Sequence, residues 1–264
     1  MTAATLTLAA AVSTAGAGDG FFTEQSAEPV GSNGRWQVEF AALGWFLGID
    51  GTVGVRGQKA DAHATFLDIV DASDSLFGYS GRVEARNECF ALYLDGMYDR
   101  VTDEGATGPG GLLDIDVTFE QTLVDFGAMW RVVRAAPSFD ADVDVYLGGR
   151  FVSLSLELDP AALPRVSGEH SWTDPFVGAR MSAPIARGVR LAVNGDVGGT
   201  AIDADFTWSS TALVAFDFTL GDLPASLMVG YRAIGWDHAD GAGADRFTWN
   251  VIEHGAIVGF ALRF

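Results

Sequence analysis

The sequence predicts an all-β chain folded as one up-and-down antiparallel barrel of about ten strands that crosses a membrane, with eight or twelve strands as the alternatives. Three observations predict it. From Arg35 onward apolar residues alternate with polar or small ones at a period of two, which gives each strand one apolar and one polar wall. The connections between these segments are short and long in turn, and the polar wall mixes glycine with charges of both signs. Such strands can show lipid one face and a narrow interior the other.

Composition removes several other classes. The chain has 264 residues, 33 of them Gly, and a formal net charge of −19. No apolar run approaches the roughly 20 residues that a spanning helix needs, so insertion as a helix is excluded. Lys59 is the one lysine among 16 basic residues, too few for the basic surface that nucleic acid requires. Cys89 is the only cysteine, which rules out an internal disulfide and a cysteine-based metal cluster. It reads as an isolated thiol in or near a turn, since a reactive cysteine needs an electropositive niche. No cofactor and no metal site are expected.

Residues 1–17, rich in Ala, Thr and Leu and ending in Ala15-Gly16-Ala17, have the apolar core and small-residue cleavage site of a signal peptide. The basic leader is missing, because no Lys or Arg precedes Arg35. Residues 18–34 form a polar, Gly-containing lead-in of the kind that stays flexible. The barrel domain is then 35–264.

Its first strand sets Trp36, Val38, Phe40 and Ala42 against Gln37, Glu39 and Ala41. A hairpin follows, in which Phe77, Tyr79, Val83 and Ala85 oppose Arg82, Glu84 and Arg86, and, past the break at Asn87-Glu88, Phe90, Leu92, Leu94 and Tyr98 oppose Tyr93, Asp95 and Asp99. Val124, Phe126, Ala128 and Trp130 then oppose Asp125 and Arg131, and Val143, Val145, Leu147 and Phe151 oppose Asp144, Tyr146 and Arg150. Both of these segments exceed membrane length. Their distal parts, 115–119 and 154–158, change phase, which predicts bulges there. Four more strands show Val177 and Met181 against Asp174 and Arg180, Leu191 and Val193 against Arg190 and Asp196, Phe216 and Phe218 against Asp217, and Leu227, Val229 and Tyr231 against Arg232. The short connections fall near 86–89, 134–138, 184–188 and 221–224. Longer Asp/Gly-rich ones fall near 102–111, 159–168 and 237–245. Residues 48–75 fit either a long loop with a helical turn at 66–70 or an extra hairpin, 52–56 with 60–66, that would raise the count to twelve.

Alternation does not say which wall faces out, because a soluble ligand-binding barrel would turn the apolar stripe inward. The polar wall decides for the membrane. Arg82, Glu84, Arg86, Asp95, Asp125, Arg131, Arg150, Asp174, Arg180, Asp196, Asp217, Arg232 and Glu253 can pair across a lumen, and a soluble exterior would be expected to use lysine.

In the last strand Ile252, Val258, Phe260, Leu262 and Phe264 share the apolar wall, interrupted by His254. The ending on an aromatic residue, with Glu253-x-Gly255-x-x-Val258-x-Phe260 before it, resembles the signal by which Gram-negative outer-membrane barrels are recognised for assembly. More broadly, the span from Trp36 to Phe264 resembles a group of largely uncharacterised, small porin-like outer-membrane barrel proteins. The stretches concerned are Ile49-Asp50-Gly51-Thr52-Val53-Gly54-Val55-Arg56-Gly57, Gly81-Arg82-Val83-Glu84-Ala85-Arg86, Leu92-Tyr93-Leu94-Asp95-Gly96-Met97-Tyr98, Asp174-Pro175-Phe176-Val177-Gly178-Ala179-Arg180 and Gly230-Tyr231-Arg232. The Asn87-Glu88-Cys89 turn departs from the basic, Gly-containing turn of that group. The resemblance implies the fold and an outer-membrane location with both termini periplasmic. It also implies outer-membrane lipid, lipopolysaccharide and the barrel assembly machinery as partners. It brings no catalytic residues.

Outer-membrane hydrolases set His beside Asp or Ser near an external rim, and here His238 stands in Trp236-Asp237-His238-Ala239-Asp240 while His63 follows Asp61. Ser80, in Gly78-Tyr79-Ser80-Gly81, lacks the nucleophile-elbow spacing. The acidic runs Asp68/Asp71/Asp74 and Asp237/Asp240/Asp245 lack the spacing of an EF-hand loop. The expectation is therefore a structural barrel or narrow passive pore. The alternatives are a barrel that binds through long acidic loops and, after it, an outer-membrane hydrolase with a His/Asp rim site.

Overall fold

The computed structural model describes residues 36–55, 57–107, 114–134, 140–160, 166–199 and 206–264. The signal-peptide and lead-in segments expected before Trp36 lie outside these. Ten strands form a closed barrel: β1 (Gln37–Val55), β3 (Ser75–Arg86), β4 (Phe90–Thr107), β5 (Asp114–Val133), β6 (Asp142–Pro160), β7 (Val166–Ala186), β8 (Val189–Gly198), β9 (Phe206–Leu220), β10 (Leu223–Asp240) and β11 (Phe247–Arg263). Each pairs antiparallel with its neighbour, and β11 returns to β1 over the register from Glu39↔Arg263 to Gly54↔Thr248. At that closure Val38 and Phe264 exchange backbone hydrogen bonds of 3.0 and 2.8 Å. Closure pairs the two outermost strands of the sheet with each other, although β1 and β3 pair only from Gln37↔Arg86 to Leu43↔Ser80.

The alternation has a definite sense. Phe40, Leu94, Phe126, Leu147, Val177, Leu227 and Val258 point outward, each between about 40% and 60% exposed, whereas Arg150, Asp174 and Glu253 inside are 1% exposed. Water-soluble proteins distribute these residue types the other way round. An apolar belt drawn from so many strands is therefore not a surface made for water.

The short turns lie at the end that holds the start of β1 and the end of β11, called here the terminal end. Two depend on glycine: Gly188 (φ 66°) and Gly221 (φ 63°) adopt the left-handed conformation that tight hairpins need. At the turn after β3, Asn87 Oδ1 accepts from the backbone N–H of Cys89 and Phe90 instead.

Two expectations are resolved differently from their sequence forms. The hairpin within 48–75 exists, but β2 (Gln58–Ala64) pairs only with the far part of β1, from Ile49↔Ala64 to Val55↔Gln58, and so stands outside the ten-strand wall. The helical turn exists beside it as α1 (Phe66–Ala72), with Thr65 and Asp68 capping each other reciprocally. Of the irregularities expected at 115–119 and 154–158, one faces the first segment: the β4/β5 ladder shifts between Asp103↔Val117 and Ala106↔Ile115, with the extra residue on β4, whereas β5 and β6 pair without a shift from Ile115↔Pro160 to Arg131↔Asp144 and 154–158 has no bulge. The change of phase has another cause. Leu154 continues the inward row of Arg150 and Val152, so the interior itself turns apolar at this height. The register shifts lie between Asp103 and Ala106, Arg131 and Val133, and Pro184 and Ala186.

Candidate functional site

One strand gives the order of the interior. Proceeding along β6 from the terminal end, the inward residues are Asp144, Tyr146, Arg150, Val152 and Leu154: two tiers of charge, then hydrocarbon. In the first tier Asp144, 2% exposed, accepts from Arg86 (3.0 Å), Arg131 (3.0 Å) and Arg180 (2.9 Å). Glu84 accepts from Arg82 (3.0 Å), Arg86 (2.8 Å) and Arg180 (2.8 Å). Two carboxylates thus hold four guanidinium groups, with Asp142 adding a further contact to Arg131 at 2.7 Å.

The second tier centres on Arg150. Its Nε and Nη2 donate to both oxygens of Asp125 at 2.8 and 2.9 Å, and Nη1 lies 3.2 Å from Asp196 and from the Thr207 hydroxyl. Tyr146 and Ser209 donate to the other oxygen of Asp196. Arg232 reaches Asp95 at 3.2 Å, and Arg82 links the two tiers through Asp95 at 3.6 Å. Aromatic rings fill the gaps, with the Arg82 guanidinium 4.5 Å above Tyr93 and that of Arg150 5.0 Å from Phe176. Such charge-assisted, partly bidentate bonds fix side chains in place as well as neutralising them.

All thirteen charged residues singled out for the lumen project inward, and they draw on other donors besides arginine. Glu253 accepts from Gln121 (2.7 Å) and Trp236 (2.8 Å), and Asp174, across the ladder from Arg150, accepts from Trp172 (3.0 Å). Asp217 stands apart at the terminal end with Arg190 and Ser226. Asp144, the hub of the first tier, is not among those thirteen, nor are Arg190, Gln121, Tyr93 and Tyr146. Each occupies the inward phase of its strand, which was the signal available. Of the terminal signal residues, Glu253 and Gly255 face inward, while Val258 and Phe264 face outward and Phe264 packs edge-on against Phe40.

Above the charged tiers Met97, Leu123, Val152, Leu154, Ile234, Trp236, Trp249 and Val251 form an apolar cluster. Beside it lies a cavity of about 1070 Å³, walled chiefly by Leu43, Trp45, Ile49, Phe119, Leu154 and Trp249. At the far mouth the His170 and His238 Nε2 atoms are 3.0 Å apart, and His238 stacks on Trp172 with centroids 4.1 Å apart.

The histidines pair otherwise than their sequence neighbours suggest. His63 Nδ1 binds Asp50 at 2.7 Å, not Asp61, which accepts from Thr52. His254 Nε2 meets the second Asp50 oxygen at 2.8 Å, and its Nδ1 meets the Tyr231 hydroxyl at 2.6 Å. This chain lies on the outer wall, where the strand register brings Asp50 of β1 beside β11. Asp68, from one acidic run, is engaged in the α1 cap: the Thr65 hydroxyl and backbone N–H hold its carboxyl below the ordinary range.

No family model matches the chain, and no curated protein matches it. Solved structures do. The outer membrane protease OmpT from Escherichia coli is 9% identical, covering 90% of this chain and 99% of its own, with a TM-score of 0.45. The attachment invasion locus protein Ail of Yersinia pestis, solved with the heparin analogue sucrose octasulfate, is 12% identical over 86% and 99%, with a TM-score of 0.37. The translocator domain of the autotransporter NalP from Neisseria meningitidis is 13% identical over 89% and 90%, with a TM-score of 0.39. The fold itself is a closed, ten-stranded, antiparallel up-and-down barrel.

Proposed function

We propose that this protein is an integral barrel of the Gram-negative outer membrane, with both termini periplasmic, and that its role is structural rather than that of a passive pore. The apolar belt supports the location, since lipid is the solvent in which such a face is stable. The short turns share one end with the start of β1 and the end of β11, the usual periplasmic arrangement of these barrels. Lipopolysaccharide and outer-membrane lipid surround it, and the barrel assembly machinery inserts it.

The observation that carries the closed lumen is the two-tier charge network, in which Arg150 at 1% exposure fills the centre. Eight strands leave room only for side chains and 16 to 18 make a wide aqueous channel, so ten strands occupied by arginine and tyrosine leave little free section. In planar bilayers the purified protein should show at most a small conductance. A large, stable, non-gated conductance like that of a general porin would overturn the closed-lumen reading. Membrane fractionation and the shift in gel mobility between boiled and unboiled samples test the location, and release as a soluble periplasmic monomer would refute it.

Assembly is proposed to depend on the terminal strand. Deleting Phe264 removes the two closing backbone bonds to Val38 and the ring against Phe40. Folded protein in the outer membrane should fall severalfold. Wild-type levels of the heat-modifiable form would show that Phe264 is dispensable.

A further inference from the structure

The barrel wall is incomplete on one side. β1 and β3 pair only from Gln37↔Arg86 to Leu43↔Ser80, where the Ser80 hydroxyl donates to the Leu43 carbonyl at 3.1 Å and the ladder stops. Beyond that point residues 75–79 of β3 pair with β4 alone, and β1 regains a partner on that side only at Ile49↔Ala64, with β2. Residues 44–48 therefore face residues 75–79 across a notch in the wall. Glycines sit at its rims. A Cβ on Gly44 would meet nothing closer than a Val258 methyl group at 3.6 Å, so the space beside it is open.

Unpaired backbone facing hydrocarbon is costly, and such edges persist where something covers them or where they line a cavity. Here both hold. Helix α1 lies against the notch, with Phe66 packed edge-on to Phe46 at 5.1 Å, and Phe66 and Ile69 line the 1070 Å³ cavity together with the inward residues Leu43 and Trp45. The cavity thus reaches from the apolar upper lumen through the wall to the belt that faces lipid. A volume near 1000 Å³ is at the upper end for small-molecule sites.

Polar atoms within it lack partners. The indole N–H groups of Trp45 and Trp249 and one oxygen of Asp99 are buried with no hydrogen bond, and all three residues line the cavity. Trp249 is 5% exposed. An unsatisfied buried polar group is destabilising, and a ligand that supplies two acceptors and a donor removes that cost. Asp99, Glu169 and Glu253 in the lining disfavour an anion.

We propose that this cavity binds an acyl chain of an uncharged membrane amphiphile, taken in sideways through the β1/β3 notch past α1. The hydrocarbon lies along Leu43, Phe119, Leu154 and Leu156, and an ester or amide carbonyl accepts from the indoles. This goes beyond the structural role, for which the notch has no use.

The test uses the full-length protein in vesicles with the outward-facing Trp36, Trp130 and Trp208 changed to Phe, so that fluorescence reports Trp45, Trp172, Trp236 and Trp249. Addition of 1-(9,10-dibromostearoyl)glycerol should quench it saturably, and dibromostearate should require at least tenfold higher concentration. Filling the cavity with Val101→Phe and Leu156→Phe should abolish the saturable part. Gly44→Phe, which narrows the notch without filling the cavity, should slow quenching tenfold with the same end-point. Vesicles made of dibrominated phosphatidylcholine report whether a chain of a two-chain lipid enters. Quenching of the background protein before any addition, absent in the filled variant, extends the proposal to such lipids, and its absence limits the occupant to single-chain amphiphiles. Equal, non-saturable quenching in filled and unfilled protein overturns the site, and wild-type kinetics in Gly44→Phe overturn the lateral route. Conductance and membrane fractionation are separate measurements, so failure here leaves the closed, membrane-integral barrel standing.

Discussion

Arg150→Ala should be the most damaging single substitution in the lumen. The guanidinium holds Asp125 through two bonds and Asp196 through an ion pair, all at 8% side-chain exposure or less. Removing it leaves two carboxylates buried within reach of one another. Breaking a buried pair by deleting one partner costs about 3–5 kcal/mol. Arg232, 3.6 Å from Asp125, compensates little at that distance. Arg180→Ala should cost less, because Arg86 remains on both Glu84 and Asp144 after the loss. Urea unfolding of the vesicle-inserted protein reads both values. The control is Arg150→Met combined with Asp125→Asn and Asp196→Asn, which removes the charges together and should recover most of the stability. The single variant should also raise conductance, since the arginine fills the centre of the section. An Arg150→Ala protein as stable and as closed as the wild type would mean that the network neither holds nor seals the barrel.

Much of this interior was legible in the sequence because strand alternation is a strict code: a residue's phase decides its wall. Arg82, Asp95, Asp125, Arg150 and Asp196 all fall on the phase opposite a continuous apolar row, and phase needs no knowledge of strand partners. Which acid meets which arginine was not legible. Arg86 and Asp144 are 58 residues apart and meet through the tilt and closure of the barrel, which only the full register determines. The same limit explains His63. Its sequence neighbour Asp61 points to Thr52, whereas the pairing of β2 on β1 brings it beside Asp50. The apolar upper lumen misled in another way. At 154–158 the alternation keeps its period but its sense inverts, Leu154 and Leu156 following the inward phase of Arg150 and Val152 while Ser155 and Glu157 hold the opposite one, and periodicity alone does not separate such an inversion from a bulge. The notch between β1 and β3 was not legible, because Gly44-Trp45-Phe46-Leu47-Gly48 is an apolar run whose composition does not say where the β1/β3 ladder stops.

A charge on the outer wall should be nearly as harmful as a missing one inside, and its dependence on depth identifies the solvent. Leu94 is 51% exposed and stands on β4 between Val83 of β3 and Phe126 of β5, within the apolar belt. If lipid covers it, Leu94→Arg should cost about 2–4 kcal/mol, the value for a basic residue near the bilayer midplane. The next outward positions toward the terminal end of the same strand are Leu92 and Phe90, the latter packed against Trp36 and Trp130 in what would be the interfacial girdle. Arginine there should cost progressively less, falling to about 0–1 kcal/mol at Phe90, where the side chain can reach headgroups and water. A water-facing wall behaves differently. Surface substitutions in water stay within about 0.5 kcal/mol whatever their position along a strand. A graded series from Leu94 to Phe90, measured by unfolding from vesicles, therefore places the belt in a bilayer independently of where the protein fractionates. A flat series near zero would return the barrel to water and leave its exposed apolar wall to be covered by something other than lipid.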